Sequence, residues 1–524
     1  NQGKRTEALA LLDRAEPAYA ALLPPEVLKA RPVQLARGTI NRLGSGGPAD
    51  MLGNRNLLTD VSTRSALMGL IEVRRYRAIV LRGLDRPAES EQALASARTL
   101  AAANGLSQPV LRARMDRTAA AIDAAGGDPT KAAAAYGAAV SAFSNALPDS
   151  RPVAETELLR AGQLLQSGQA GPALAVCQRG VGLLRQLKIG TEATLLDPCL
   201  DVFAQAAQAR SKAGDKAGEQ ALLVQMFEAS QLSQGGVTSQ QIAQATARLS
   251  ENARDPRVAE AVRARQDATN KLADLYRERD RLDQQRNPGG AAAPEGPAPE
   301  SAALDKRITE AQAAVANADA ALQAAAPNFG QLVQQVAPAS AIEASLRPNE
   351  GFVSITLSDA GGWSFLLRND KVTVSHIDGG TPRMAELVKR IRGSIESDTG
   401  IPPRFDVAAA QQLYMATLGG LSGAMGGMQS LVVAPAGPLL SVPFELLLTG
   451  PGDASNLAAA PWLLRKMVIS HVPAAANFVS LRKIAGGSRA QRPWFGFGDF
   501  HPVTLAQARK TYAGGCSDSA ALFA

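Results

Sequence analysis

The chain is poor in the residue types that usually carry chemistry. Among 524 residues there are three cysteines and three histidines, and aromatics make up only 4%, so catalytic and metal-binding side chains are scarce. Cys177, Cys199 and Cys516 lack metal-ligand spacing and His376, His471 and His501 are scattered, which predicts no metal site. With few aromatics, the cores must be built from Ala, Leu and Val, which suits closely packed helices. No apolar run reaches the roughly 18 residues of a membrane span, and the longest, around Leu431, is interrupted by prolines. Charge of one sign is missing as well. The formal net charge of +7 is spread over a chain in which Lys and Arg alternate with Asp and Glu, and no basic stripe is interleaved with aromatics. That argues for solubility and against nucleic-acid binding. No cofactor is expected: the glycines between Arg31 and Leu58 are followed by no Gly-Lys-Ser or Gly-Lys-Thr, and GFGDF (496–500) lacks the third glycine of a dinucleotide fingerprint. The chain opens at Asn1 inside a predicted helix, so the natural start, with any signal peptide, is expected to be missing. Either a cytoplasmic or a periplasmic location fits.

What is present is too long for one core and predicts a multidomain chain. Residues 1–250 read as an all-α solenoid of helical repeats. Gly3, Gly83, Gly127, Gly168 and Gly214 each separate two Ala/Leu-rich stretches. Four of them are followed five residues later by Ala8, Ala88, Ala132 or Ala173, while the fifth slot holds Glu219. The glycine permits a turn and the small residue a close helix approach. The later spacings of 44, 41 and 46 residues exceed the roughly 34 of tetratricopeptide repeats, so long helices or long loops are expected. LRGLDRPAESEQAL (81–94) and LQSGQAGPALAVC (165–177) resemble tetratricopeptide cores, with HEAT-like pairs as the rival. Such a groove suits a protein or peptide partner. Cys177 and Cys199 fall on neighbouring predicted helices and form either a disulfide, with an oxidising compartment implied, or two small buried hydrophobes.

Residues 251–326 carry a coiled-coil period: Val258, Val262, Leu272, Leu275 and Leu282 on one arm, and Leu304, Ile308, Ala311, Val315, Ala318 and Leu322 on the other. The Pro/Gly-rich tip 287–301 predicts an antiparallel hairpin. Beyond Pro327, FVSITL (352–357), WSFLL (363–367) and KVTVSHI (371–377) predict a β-meander, followed by helices over 382–397 and 407–421. Leu431, Val432 and Val433 predict a strand buried on both faces, and Pro443 a helix start with Glu445 in its first turn and Leu446 to Leu448 as anchors. MVISHV (467–472) predicts another buried strand, 474–484 a helix, and WFGFG (494–498) a last strand.

Four segments, LRPNEGFVSITL (346–357), LVVAPAGPLLSVPFELLL (431–448), PWLLRKMVISHVPAAANFVSLR (461–482) and WFGFGDF (494–500), together resemble the CHAT domain family. These are caspase-like proteins of the clan CD cysteine peptidases, which commonly follow tetratricopeptide repeats. The resemblance implies an α/β caspase-like region, truncated at the C-terminus, with a non-catalytic lobe over 327–488 and the incomplete start of a catalytic lobe over 489–524. The family's His-Cys dyad lies farther downstream, and no position here matches either motif. His501 and Cys516 are only 15 residues apart with no strand-helix-strand between them, so they are not expected to replace it. No catalytic, cofactor-binding or metal-binding residue is therefore assigned. The resemblance implies the regulatory, non-catalytic part of a cysteine endopeptidase, inactive as it stands, with the repeats binding a protein partner. The alternative is a non-enzymatic repeat scaffold.

Overall fold

In the computed structural model the chain is described over residues 5–28, 61–233 apart from 107–108, 147 and 188, parts of 260–282, and residues 299–325, 336–396 and 404–484. It divides into two units, Asn1–Ser480 and Leu481–Ala524, the second described only to Ile484. The predicted strand 494–498, the glycines between Arg31 and Leu58, Val258, Val262, His501 and Cys516 lie outside the described residues.

The first part is built of helices. After α1 (Arg5–Ala21) and the short α2 (Pro25–Leu28), four helical hairpins follow. They are α3–α4 (Val61–Gly83, Pro87–Ala103), α5–α6 (Pro109–Ala125, Pro129–Ala146), α7–α8 (Arg151–Gln166, Ala170–Gln186) and α9–α10 (Ala193–Lys212, Lys216–Ser230). The long repeat spacing comes from the helices, which run from 15 to 23 residues. Gly127, Gly168 and Gly214 take φ of +83°, +79° and +78° at the hairpin turns, as the repeat predicts. Gly83 does not: in the α3–α4 turn the left-handed position is Asp85, with φ +57°. Counting from Asp85, the close-contact position is the fully buried Ser90, whose hydroxyl donates to Ala78 O at 2.7 Å, whereas Ala88 is exposed. Ala132 and Ala173 are fully buried, as expected of residues that let helices approach closely.

Farther along the chain, α11 (Pro299–Ala325) buries Leu304, Ile308 and Ala311 in one apolar seam with Leu275, and Leu272 and Leu282 pack against it. An Arg307–Glu278 ion pair at 3.1 Å joins the arms.

A short α12 (Ala339–Glu343) leads into a five-stranded mixed sheet. Its strands are β1 (Glu350–Leu357), β2 (Gly361–Arg368), β3 (Lys371–Asp378), β4 (Ser430–Ala434) and β5 (Val468–His471), in the order β3-β2-β1-β4-β5. The meander β1–β2–β3 is antiparallel, with Phe352 opposite Leu367. Strand β4 joins β1 in parallel, Val353 beside Val433, and β5 joins β4 in parallel, Val433 beside His471. Alternation along the strands separates two cores. Val353, Ile355, Leu366, Leu431 and Val433 pack against α13 (Gly380–Gly393) and α14 (Val407–Thr417). Phe352, Phe365, Leu367, Val432 and Ala434 face the opposite way, toward α9, α10 and α15 (Ala475–Ile484).

Two expectations need correction. No α-helix starts at Pro443: the chain makes two short 3-10 turns, Gly437–Ser441 and Phe444–Leu446. Val442 before the proline is extended, and Leu447 returns to extended backbone, so the apolar anchors Leu447 and Leu448 drop into the core separately. Strand β5 is not buried on both faces either. Within the described residues it pairs only with β4, and Val468 is 68% exposed.

Candidate functional site

Parallel strands β1, β4 and β5 end on the same side of the sheet, and there the chain leaves toward opposite faces. After β4 the 3-10 turns place Leu439, Val442 and Phe444 in the core shared with α13, whereas after β5 the helix α15 places Ala475 and Phe478 in the opposite core. Crevices in open α/β sheets form at such divergences. Here a cleft of about 550 Å³ is walled by Pro435, Leu440, Val442, Pro443, Val472 and Pro473. Its polar groups include Glu445 and His471. His471 Nε2 accepts from the Phe444 N–H at 3.4 Å, and its Nδ1 lies 3.8 Å from Glu445 Oε1. Glu445 Oε2 is enclosed and receives no hydrogen bond. The shape is a greasy cleft with an under-satisfied carboxylate.

The second notable place is the seam between the helical hairpins and the sheet. Gln220 of α10 pairs with the backbone of edge strand β3 in both directions, donating to Val372 O at 3.2 Å and accepting from Val372 N–H at 3.0 Å. Gln231 does the same to Ala337, at 2.9 Å both ways, and is buried. Phe227 of α10 meets Phe365 of β2 edge-on, with centroids 5.8 Å apart, and Phe352 stacks on Phe478. At the rim, Ser358 donates to Asp197 of α9 at 2.6 Å. Nearby Asp201 has its carboxyl pushed up by burial and then by the Asp197 charge, with His376 and the Trp363 indole drawing it partly back.

The individually considered residues do not assemble into a catalytic set. Cys177 of α8 and Cys199 of α9 form a disulfide with Cα atoms 5.6 Å apart, which resolves the two alternatives in favour of the bridge. His376 is exposed, its Nδ1 2.8 Å from Asp378 Oδ1 and its ring edge-on to Trp363. His471 sits in the cleft rather than inside a buried strand. Among the described residues no group of three His, Cys, Asp or Glu side chains could hold a metal, and no helix is long and apolar enough to cross a membrane. The pairing of Glu445 with His471 was not anticipated from the sequence. Its signal was positional, since His471 ends a strand and Glu445 follows a proline just beyond the end of the preceding one. No family model matches the chain, and no curated protein matches it.

Proposed function

We propose that the chain is the partner-binding, non-catalytic portion of a caspase-like cysteine endopeptidase of the CHAT type, with the helical repeats receiving a protein or peptide and passing its effect to the α/β lobe. The observation that carries this is the continuity of packing: Leu200, Phe203, Leu223 and Phe227 of the last helical hairpin belong to the same apolar core as Phe352, Phe365 and Val432 of the sheet. A ligand that favours one curvature of the solenoid would act directly on the sheet through that core. Support also comes from the β4 segment, where LVVAPAGPLLSVPFELLL runs from a buried parallel strand into turns whose Leu439, Phe444 and Leu447 are fully buried.

As it stands the chain is expected to be inactive. The two cysteines among the described residues are bonded to each other, and neither can serve as a thiolate nucleophile. Incubation with a panel of fluorogenic peptides under reducing and non-reducing conditions should give no cleavage. Thiol-dependent cleavage by this chain would overturn the proposal. The non-enzymatic scaffold keeps a place because the same shared core would also fix a sheet rigidly onto a solenoid. Any sequence encoded after Ala524 would separate the two: a His-Gly at a strand end followed by a Cys at a later strand end supports the peptidase, and replacement of either supports the scaffold.

A further inference from the structure

The cleft at the ends of β4 and β5 combines two properties that select a ligand. Its walls are prolines and aliphatic side chains, with Leu440 65% exposed beside it, so it offers apolar contact to an extended, narrow group. Its polar end is a carboxylate with spare acceptor capacity. Glu445 Oε2 is shielded and accepts nothing, and Oε1 stands 3.8 Å from His471 Nδ1, too far for a hydrogen bond. His471 cannot turn its other nitrogen to the task, because Nε2 is used by the Phe444 N–H. Arg392 donates to Ser441 O at 3.4 Å near the cleft but is itself ion-paired with Glu396.

A neutral apolar ligand would leave the carboxylate unpaired, and an anion would be repelled by it. A cation on a long apolar stem satisfies both parts, with the methylenes lying along the prolines and the charge reaching Glu445. Oε2 is enclosed, so the cation makes a single charge-assisted contact at the part-exposed end of Glu445. We infer that this cleft binds a basic side chain presented by an extended peptide of a partner protein. The site is separate from the solenoid groove, and its occupation does not depend on whether the chain serves a peptidase.

Fluorescence anisotropy with dye-labelled Ac-Ala-Arg-Ala, its lysine analogue and its citrulline analogue, in which a neutral urea replaces the guanidinium, tests this on the full chain. The arginine and lysine peptides should both bind the wild-type chain about tenfold more tightly than the citrulline peptide, the value expected for one charge-assisted pair. Glu445→Gln should remove the preference while leaving the melting temperature unchanged. Leu440→Ala, at an exposed position, should weaken all three peptides by a similar factor. Equal binding of arginine and citrulline peptides, an arginine preference that survives Glu445→Gln, insensitivity to Leu440→Ala, or no binding at all would each overturn the assignment.

Discussion

Phe444 illustrates how a single residue is fixed by its neighbours. Pro443 holds the chain extended before it, and the ring has no exposed surface in a core shared with Leu439, Leu447 and Leu463. Phe444→Ala should therefore cost about 3 kcal/mol, the transfer and cavity terms of a buried aromatic. Urea unfolding followed by circular dichroism checks it, and an unchanged midpoint would contradict the packing described. The burial of Phe444 was legible in the sequence, because it stands between Val442 and Leu446 to Leu448. The company of its neighbour Glu445 was not. Glu445 lies beside His471, 26 positions away, only because β5 pairs in register with β4, and no local pattern encodes that pairing.

At the scale of elements, the hairpins were legible where glycine marks a left-handed turn, as at Gly127, Gly168 and Gly214. They were misregistered by two residues where Asp85 took that conformation in place of Gly83. Aspartate tolerates positive φ better than most residues, and a pattern keyed to glycine passes over it. The meander was legible from its short β-rich runs and the SDAGG and RND turns between them, with Asn369 and Asp370 both at positive φ. The stretch after β4 misled because Pro443 followed by apolar residues is common to a helix start and to a buried turn. Helices α8 and α9 are joined by the Cys177–Cys199 bridge, which closes a loop with a sequence separation of 22. A loop of that size is worth about 3 kcal/mol on chain-entropy grounds. The Cys177→Ser, Cys199→Ser double variant should melt lower than the oxidised wild type and match the reduced wild type. Coincident melting of oxidised and reduced protein would show that the bridge contributes nothing.

For the whole molecule, the consequence of the fold lies in its shared core. Helices α9 and α10 form the last of the helical hairpins and also cover one face of the sheet, where Phe227 meets Phe365 and α15 brings Phe478 onto Phe352. The polar seam reinforces this: Gln231 satisfies both backbone groups of Ala337, and Gln220 both groups of Val372, which would otherwise be an unpaired stretch of edge strand. Along the chain the helices precede the sheet, yet the apolar packing runs across both, from Ala133 to Val479. The sequence could not disclose it, because an apolar helix face looks the same whether it meets another helix or a sheet. The proposed transmission from a partner bound on the helical part to the sheet requires that these elements open together, as one cooperative unit. Native-state hydrogen exchange in increasing denaturant measures this directly. The account predicts that amides of α9, α10, β1, β2 and β4 merge onto one opening free energy; a sheet that stays protected while α9 and α10 exchange through a separate, lower-energy opening would contradict it.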